Sequence, residues 1–449
     1  MIPLEGSKQL TRARLFQIAT IVAGLAAIVT IVSSGLDGAI FMYKIAGFLI
    51  FYFTLKEGLL IDKDLFSPYT LFALAPFCTL IYDDFLSPSY LPLPDGLAVT
   101  CIIIGQASFL LGLKMSGVVR SVIWRNKKGQ KHQNRLASKD NYRLLFIVGI
   151  VPFLLSLSLR TMNIQFSAEG IDEFRSNFTL PIISAALSCF TTAGLLGTAR
   201  ERRYFVFFSL IVTMVVVGLF TQAKGSAVLI FLTIIFASKK YWRLKSTSRI
   251  VFVSLILMFA MFQVYGMIRQ GYFHSRVYVS SYEYYRQHKD IADIPRYLQI
   301  FYKPYMYMET PLSNFAYLVE NNFTPENGKL TAWPFISIFQ LKRFYTIEKP
   351  VKPIRKWPYN THTFLGDFYL DFGVMGILIL PFLLGLIVSA MYSRTLVNRD
   401  IIMDAVYLYF SYATFMMFFS NHFTSSAYPL RIFLVFEFYR LIIRPIRIR

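Results

Sequence analysis

Runs of about twenty apolar residues recur from one end of the chain to the other, a pattern that suits lipid as the solvent. Backbone in hydrocarbon must satisfy every N–H and C=O internally, so each run reads as a helix crossing a bilayer. A single soluble core could not bury them all. Only 16% of the 449 residues are charged, against roughly 25% in soluble domains, and mean hydropathy is +0.50. The expected fold is therefore all-α, a polytopic integral membrane protein with about twelve transmembrane helices.

Hydropathy places the spans at about 15–33, 40–55, 67–83, 96–113, 143–160, 179–198, 204–220, 225–238, 250–268, 373–393, 401–420 and 426–443. Lys8, Arg12 and Arg14 precede the first run, and no small-residue cleavage site ends it, so it reads as an uncleaved helix. Residues 1–268 then hold nine helices, 269–372 one large outer loop with short helices, and 373–449 the last three.

Orientation follows the cations. With the N-terminus inside, the inner loops carry dense basic clusters such as Arg125–Lys139, Arg200–Arg203, Lys239–Lys245 and Arg394–Arg399. The outer segments 34–38, 82–96 and 421–425 have no Lys or Arg at all. The formal charge of +21 is thus a topology signal and not a nucleic-acid footprint. Cys78, Cys101 and Cys189 all sit in apolar runs, without ligand spacing or a disulfide framework.

Two cations break the outer-side rule: Arg175 in loop 161–178 and Lys224 in the turn Thr221–Ser226. Each is either a snorkelling side chain or a retained functional charge. Arg431, just inside the last span, is expensive in lipid unless it is paired or faces a cavity.

The loop 269–372 is too long for a connector and should close over a site. Its first half is rich in tyrosine, which fits an interfacial belt or sugar stacking equally well. The stretch 294–308 interleaves aromatics with Arg296 and Lys303, as a helix lying on the bilayer surface would. Thr310-Pro311 reads as an N-cap and first helical residue, with a short helix following over 312–320.

Phosphate-binding glycine loops, Cys/His zinc patterns and nucleophile elbows are absent. Neither a metal nor another cofactor is expected. Four of the five histidines, His274, His288, His362 and His422, map to the outer side, where any reactive face should lie.

Thr361-His362-Thr363-Phe364-Leu365-Gly366-Asp367-Phe368-Tyr369-Leu370-Asp371-Phe372-Gly373-Val374-Met375-Gly376 enters a late span. This segment resembles the Gly-Asp-x-Tyr-Leu-Asp-Phe-Gly motif of O-antigen polymerases, the Wzy class of oligosaccharide repeat-unit polymerases. The Lys224-Gly225-Ser226 turn is similar to a basic-Gly-small turn of the same family. The likeness spans the whole chain in architecture but only these short segments in motif. It implies a GT-C-like, metal-independent membrane glycosyltransferase of the bacterial inner membrane, with its active site facing the periplasm. It also implies an undecaprenyl-pyrophosphate-linked donor, a lipid-linked acceptor, and a co-polymerase partner that sets chain length.

Leaving pyrophosphate needs stabilisation that arginine supplies through paired donors and a permanent charge. Arg175, Arg269 and Arg276 are the expected clamp, with Lys224 at a helix N-terminus. The proton acceptor should be His362, Asp367 or His274. Asp367 and Asp371 read equally as structural caps, and Tyr369 as acceptor-orienting or interfacial. Arg431 completes the expected substrate-binding set. A lipid-linked oligosaccharide flippase, or the related O-antigen ligase, is the alternative.

Overall fold

Apolar runs punctuated by proline and glycine fold as helices of uneven length in the computed structural model. It describes residues 36–62, 64–81, 96–126, 181–221, 224–242, 256, 299–321, 323–338, 361–397 and 401–424, together with 429, 432–434 and 437. Of these, 86% are helical and none is in a strand. The order is α1 (Leu36–Leu55), a π-helical turn (Lys56–Ile61), α2 (Pro68–Phe72), α3 (Leu74–Ile81), α4 (Gly96–Asn126) and α5 (Pro181–Arg200). Then follow α6 (Tyr204–Thr221), α7 (Lys224–Lys240), α8 (Gln299–Glu320), α9 (Lys329–Ile338), α10 (Leu365–Val397) and α11 (Ile401–Phe415), closed by a 3-10 turn (Met416–Phe418).

Among the described residues three stretches, Gly96–Met115, Leu365–Leu396 and Ile401–Phe418, are long and apolar enough to cross a membrane. On α10 the exposed residues Val374, Met375, Leu378, Ile379, Leu383 and Ile387 recur at helical spacing. On α6, Phe205 is 86% exposed and Val212 61%. Such apolar faces are stable against lipid tails and costly against water. The chain is a helical membrane protein.

Among the described residues the backbones of α4 and α10 approach very closely. A Cβ on Gly112 would lie 2.1 Å from the carbonyl oxygen of Phe382, and one on Gly385 would lie 2.3 Å from that of Phe109. Ser108, between Gly105 and Gly112, donates its hydroxyl to the Leu378 carbonyl. Small residues let two backbones touch, so dispersion and a polar bond hold helices that gain nothing from the hydrophobic effect in lipid.

Several boundaries differ from the hydropathy reading for identifiable reasons. The run 67–83 is helical from Pro68 to Ile81 with a break in the bonding at Ala73, because Pro76 has no N–H to offer the Phe72 carbonyl. Helix α8 runs straight through Thr310-Pro311 rather than starting there. The Thr310 hydroxyl has no partner among the described residues, so it caps nothing there. Burial of Leu312, Phe315, Leu318 and Val319 outweighs the one backbone bond Pro311 forfeits. The surface helix expected over 294–308 enters the described residues only from Gln299, as the start of α8, whose later turns are buried.

Between α5 and α6 the chain reverses in three residues. Arg203 N–H donates to Thr198 O and Arg202 N–H to Ala199 O, each at 3.0 Å, with Arg202 at φ 58°. This is a Schellman cap with arginine in the left-handed position that glycine usually fills.

Candidate functional site

Segment 361–376 forms a polar node at one end of the bundle. Helix α10 is two helices joined at Gly373, whose φ of 60° and ψ of −144° lie outside any helical region. Only glycine adopts that conformation cheaply. Past the bend the chain passes so close to its own preceding turn that a Cβ on Gly376 would lie 2.1 Å from the Phe368 carbonyl oxygen. The two glycines therefore fix the angle between the short helix bearing Asp367, Tyr369 and Asp371 and the apolar helix that follows.

Three other segments converge on this short helix. After α11 the chain turns back through 419–424: Phe364 N–H donates to Met417 O at 2.9 Å, and Asn421 Nδ2 donates to Phe364 O at 3.1 Å. The Thr424 hydroxyl donates to Asp367 Oδ2. From α8, Asn314 Nδ2 donates to Thr361 O at 3.0 Å. From α9, the N–H groups of Leu330 and Thr331 donate to the two oxygens of Asp371 at 2.9 and 2.5 Å. Asp371 thus caps α9 across space, supplying acceptors to the otherwise unpaired N–H groups of its first turn. Of the two readings open for Asp371, the cap is the one its geometry fills.

Asp367 is 2% exposed and His362 3%, as buried as core leucines. Tyr369 is buried as well, its ring edge-on to Phe315 with centroids 6.0 Å apart. Below the node a cavity of ≈ 10 Å³ is lined by Cys78, Gln106, Leu312, Thr363 and Met417 among others. That volume suits about one water molecule and excludes a sugar ring.

Other expected site residues are not brought into view. Arg175, Arg269, Arg276, Arg431 and His274 lie outside the described residues, and Lys224 is described only in its backbone, as the first residue of α7. Among the described residues no group of three His, Cys, Asp or Glu side chains could hold a metal ion.

The structure adds polar residues that the sequence reading passed over. Glu309, Thr310, Ser313 and Asn314 form a fully buried polar turn of α8; Thr310 was expected as an N-cap, and Ser313 and Asn314 fall in the short helix expected over 312–320. Asn421 and Thr424 are buried too. At the opposite end, Asp404 is 1% exposed and binds Lys240 Nζ and the Tyr241 hydroxyl. A lone carboxylate inside an apolar run was the one available signal for Asp404. No family model, curated protein or solved structure matches this chain.

Proposed function

We propose that the chain is a surface-polysaccharide polymerase of the O-antigen type, joining undecaprenyl-pyrophosphate-linked repeat units at the outer face of a bacterial inner membrane. The observation that carries this reading is the segment Thr361–Gly376, whose motif likeness to such polymerases coincides with a bent, hydrogen-bonded node. The closing glycine of the motif, Gly373, makes the bend there, and its last aspartate anchors a helix of the long loop. Helix ends that the charge rule assigns to the inner side, at Glu57, Lys114, Lys239 and Asp404, also meet one another. This agrees with a twelve-span topology with both termini in the cytoplasm and 269–372 in the periplasm.

In the proposed reaction a hydroxyl at the non-reducing end of the incoming unit attacks the anomeric carbon of the donor glycan. The bond from that carbon to the pyrophosphate oxygen breaks, and undecaprenyl pyrophosphate leaves with the electron pair. Arg175, Arg269, Arg276 and Lys224 take up the developing negative charge, with Arg431 at the lipid boundary. His362, Asp367 or His274 receives the hydroxyl proton, and Tyr369 orients the acceptor. Since Asp371 is committed to α9, Asp367 and His362 are the segment's groups for proton transfer. Both are buried in this form, so the packing around them has to open before substrate reaches them. A co-polymerase setting chain length would complete the system.

Deletion of the gene tests the reading through lipopolysaccharide banding. A polymerase defect leaves one repeat per core and removes the ladder. Loss of every repeat would instead indicate ligation or export.

A further inference from the structure

We propose that the turn between α5 and α6 binds an anionic phospholipid, with the phosphodiester on Arg202 and Arg203 and an acyl chain along the exposed face of α6. The proposal goes beyond the polymerase reading and does not depend on it.

The turn lies at the charged end of the bundle, since the Trp242 indole, just past α7, donates to the Ala199 carbonyl at 2.8 Å. The cations at this end divide into two kinds. Lys114 pairs with Glu57 at 3.1 Å, Lys239 with Asp64 at 3.4 Å, Lys240 with Asp404, and Arg394 with Glu437 at 3.0 Å. Arg202 is exposed, and among the described residues its guanidinium makes no hydrogen bond, ion pair or ring contact. Arg203 gives its Nε to Glu201 at 2.8 Å in a pair that is itself exposed, and its terminal nitrogens have no further partner among the described residues.

The backbone makes the idle Arg202 side chain informative. Its φ of 58° lies in the left-handed region, which glycine adopts freely and a residue with a Cβ does not. No contact of the side chain offsets that cost among the described residues. A charge held in a strained position without a partner in its own chain suits a partner from outside it.

The turn is also stiff. Arg203 N–H bonds Thr198 O and Arg202 N–H bonds Ala199 O, which closes the reversal in three residues. Tyr204 and Phe207 stand edge-on to the Trp242 indole, each with centroids 5.0 Å away, and Phe208 is tilted against it at 5.9 Å. Two guanidinium groups are thus presented from a braced backbone. Each can span two phosphodiester oxygens with its planar fork, and less freedom is lost on binding than from a loose loop.

The apolar half of the site begins two residues later. Phe205, Phe208 and Val212 are exposed and recur at i, i+3 and i+7, which is one face of α6 over about 10 Å. Charge followed by hydrocarbon is the order of a phospholipid at a bilayer boundary. The segment Arg200–Arg203 carries two net positive charges, and the first turn of α6 adds no acid, so an anionic lipid fits better than a zwitterionic one. Free phosphate would satisfy the arginines and leave the Phe205 face uncovered.

The purified chain in a neutral detergent is titrated with phosphatidylglycerol. Native mass spectrometry counts the tightest-bound lipid while the melting temperature is followed. Phosphatidylglycerol should bind and raise the melting temperature, whereas phosphatidylcholine or inorganic phosphate at the same concentration should do neither. Arg202→Gly combined with Arg203→Gln should weaken phosphatidylglycerol binding on the order of thirtyfold, about fivefold for each arginine. Arg202→Gly alone separates binding from folding. Relieved of strain, it should melt at least as high as the unsubstituted chain without lipid, yet gain less from phosphatidylglycerol. Lys56→Gln removes a charge at the same end, from a side chain that lies over the Tyr52 ring, and should change binding by less than about twofold. Equal binding of phosphatidylcholine, an equal rise with inorganic phosphate alone, or an equal loss in Lys56→Gln would each overturn the site. So would phosphatidylglycerol binding that is unchanged in Arg202→Gly.

Discussion

Replacing Asp371 should undock helix α9 without unfolding the bundle. Its carboxylate is fully buried and accepts two backbone N–H bonds, from Leu330 at 2.9 Å and Thr331 at 2.5 Å. Bonds to a charged acceptor contribute about 1.5–3 kcal/mol each, and their donors would be stranded in the alanine variant. Part of that is recovered as water enters, so the expected net loss is about 2–4 kcal/mol, at or slightly above the upper range for helix caps. Hydrogen–deuterium exchange in a nanodisc reads this locally. In Asp371→Ala the amides of 330–338 should exchange on the order of a hundredfold faster, while those at the α4–α10 contact stay unchanged. Asp371→Asn keeps one acceptor and should fall between, at about tenfold. Unaltered exchange in the alanine variant, combined with loss of activity, would refute the cap and make Asp371 a reacting group.

Gly373→Ala should destabilise by about 1–3 kcal/mol through backbone strain alone, since no atom lies within 4 Å of the added Cβ; an unchanged melting temperature would contradict the bend. Arg202→Gly should stabilise by roughly 0.5–1 kcal/mol, because it relieves a left-handed arginine in a Schellman cap, and a lowered melting temperature would count against that geometry. Alanine at Arg175, Arg269 or Arg276 should cut chain growth on the order of a hundredfold to a thousandfold at unchanged protein level, with lysine rescuing only partly. Arg286 and Arg296, further along the loop that holds Arg269 and Arg276, serve as internal controls, and equal mild losses at all five would leave only a nonspecific basic surface.

The apolar helices were legible because a bilayer imposes one rule on every residue of a span. Helices α4, α6, α7 and α11 begin within a few residues of where hydropathy alone puts them. The polar node was not legible as a folded unit, although its motif could be singled out. Asp367 and Asp371 looked like loop carboxylates, because the partners that bury them, Thr424, Leu330 and Thr331, lie 40 to 57 positions away. The ion-paired cluster at the other end was hidden in the same way: Lys239 and Lys240 read as ordinary inner-loop cations, and Asp404 finds Lys240 across 164 residues. Thr310-Pro311 was misread for a different reason. Its local pattern is that of a helix start, but tertiary burial of the next two turns carries the helix through it.

Polymerisation by the purified chain tests the central claim most directly. The protein is reconstituted in liposomes with undecaprenyl-pyrophosphate-linked repeat units, in the presence of EDTA, and the glycan products and released undecaprenyl pyrophosphate are followed together. The account predicts a ladder of lipid-linked oligomers, one undecaprenyl pyrophosphate released per bond formed, and no loss of rate in the chelator. Movement of intact lipid-linked units across the bilayer with no new glycosidic bond would contradict it.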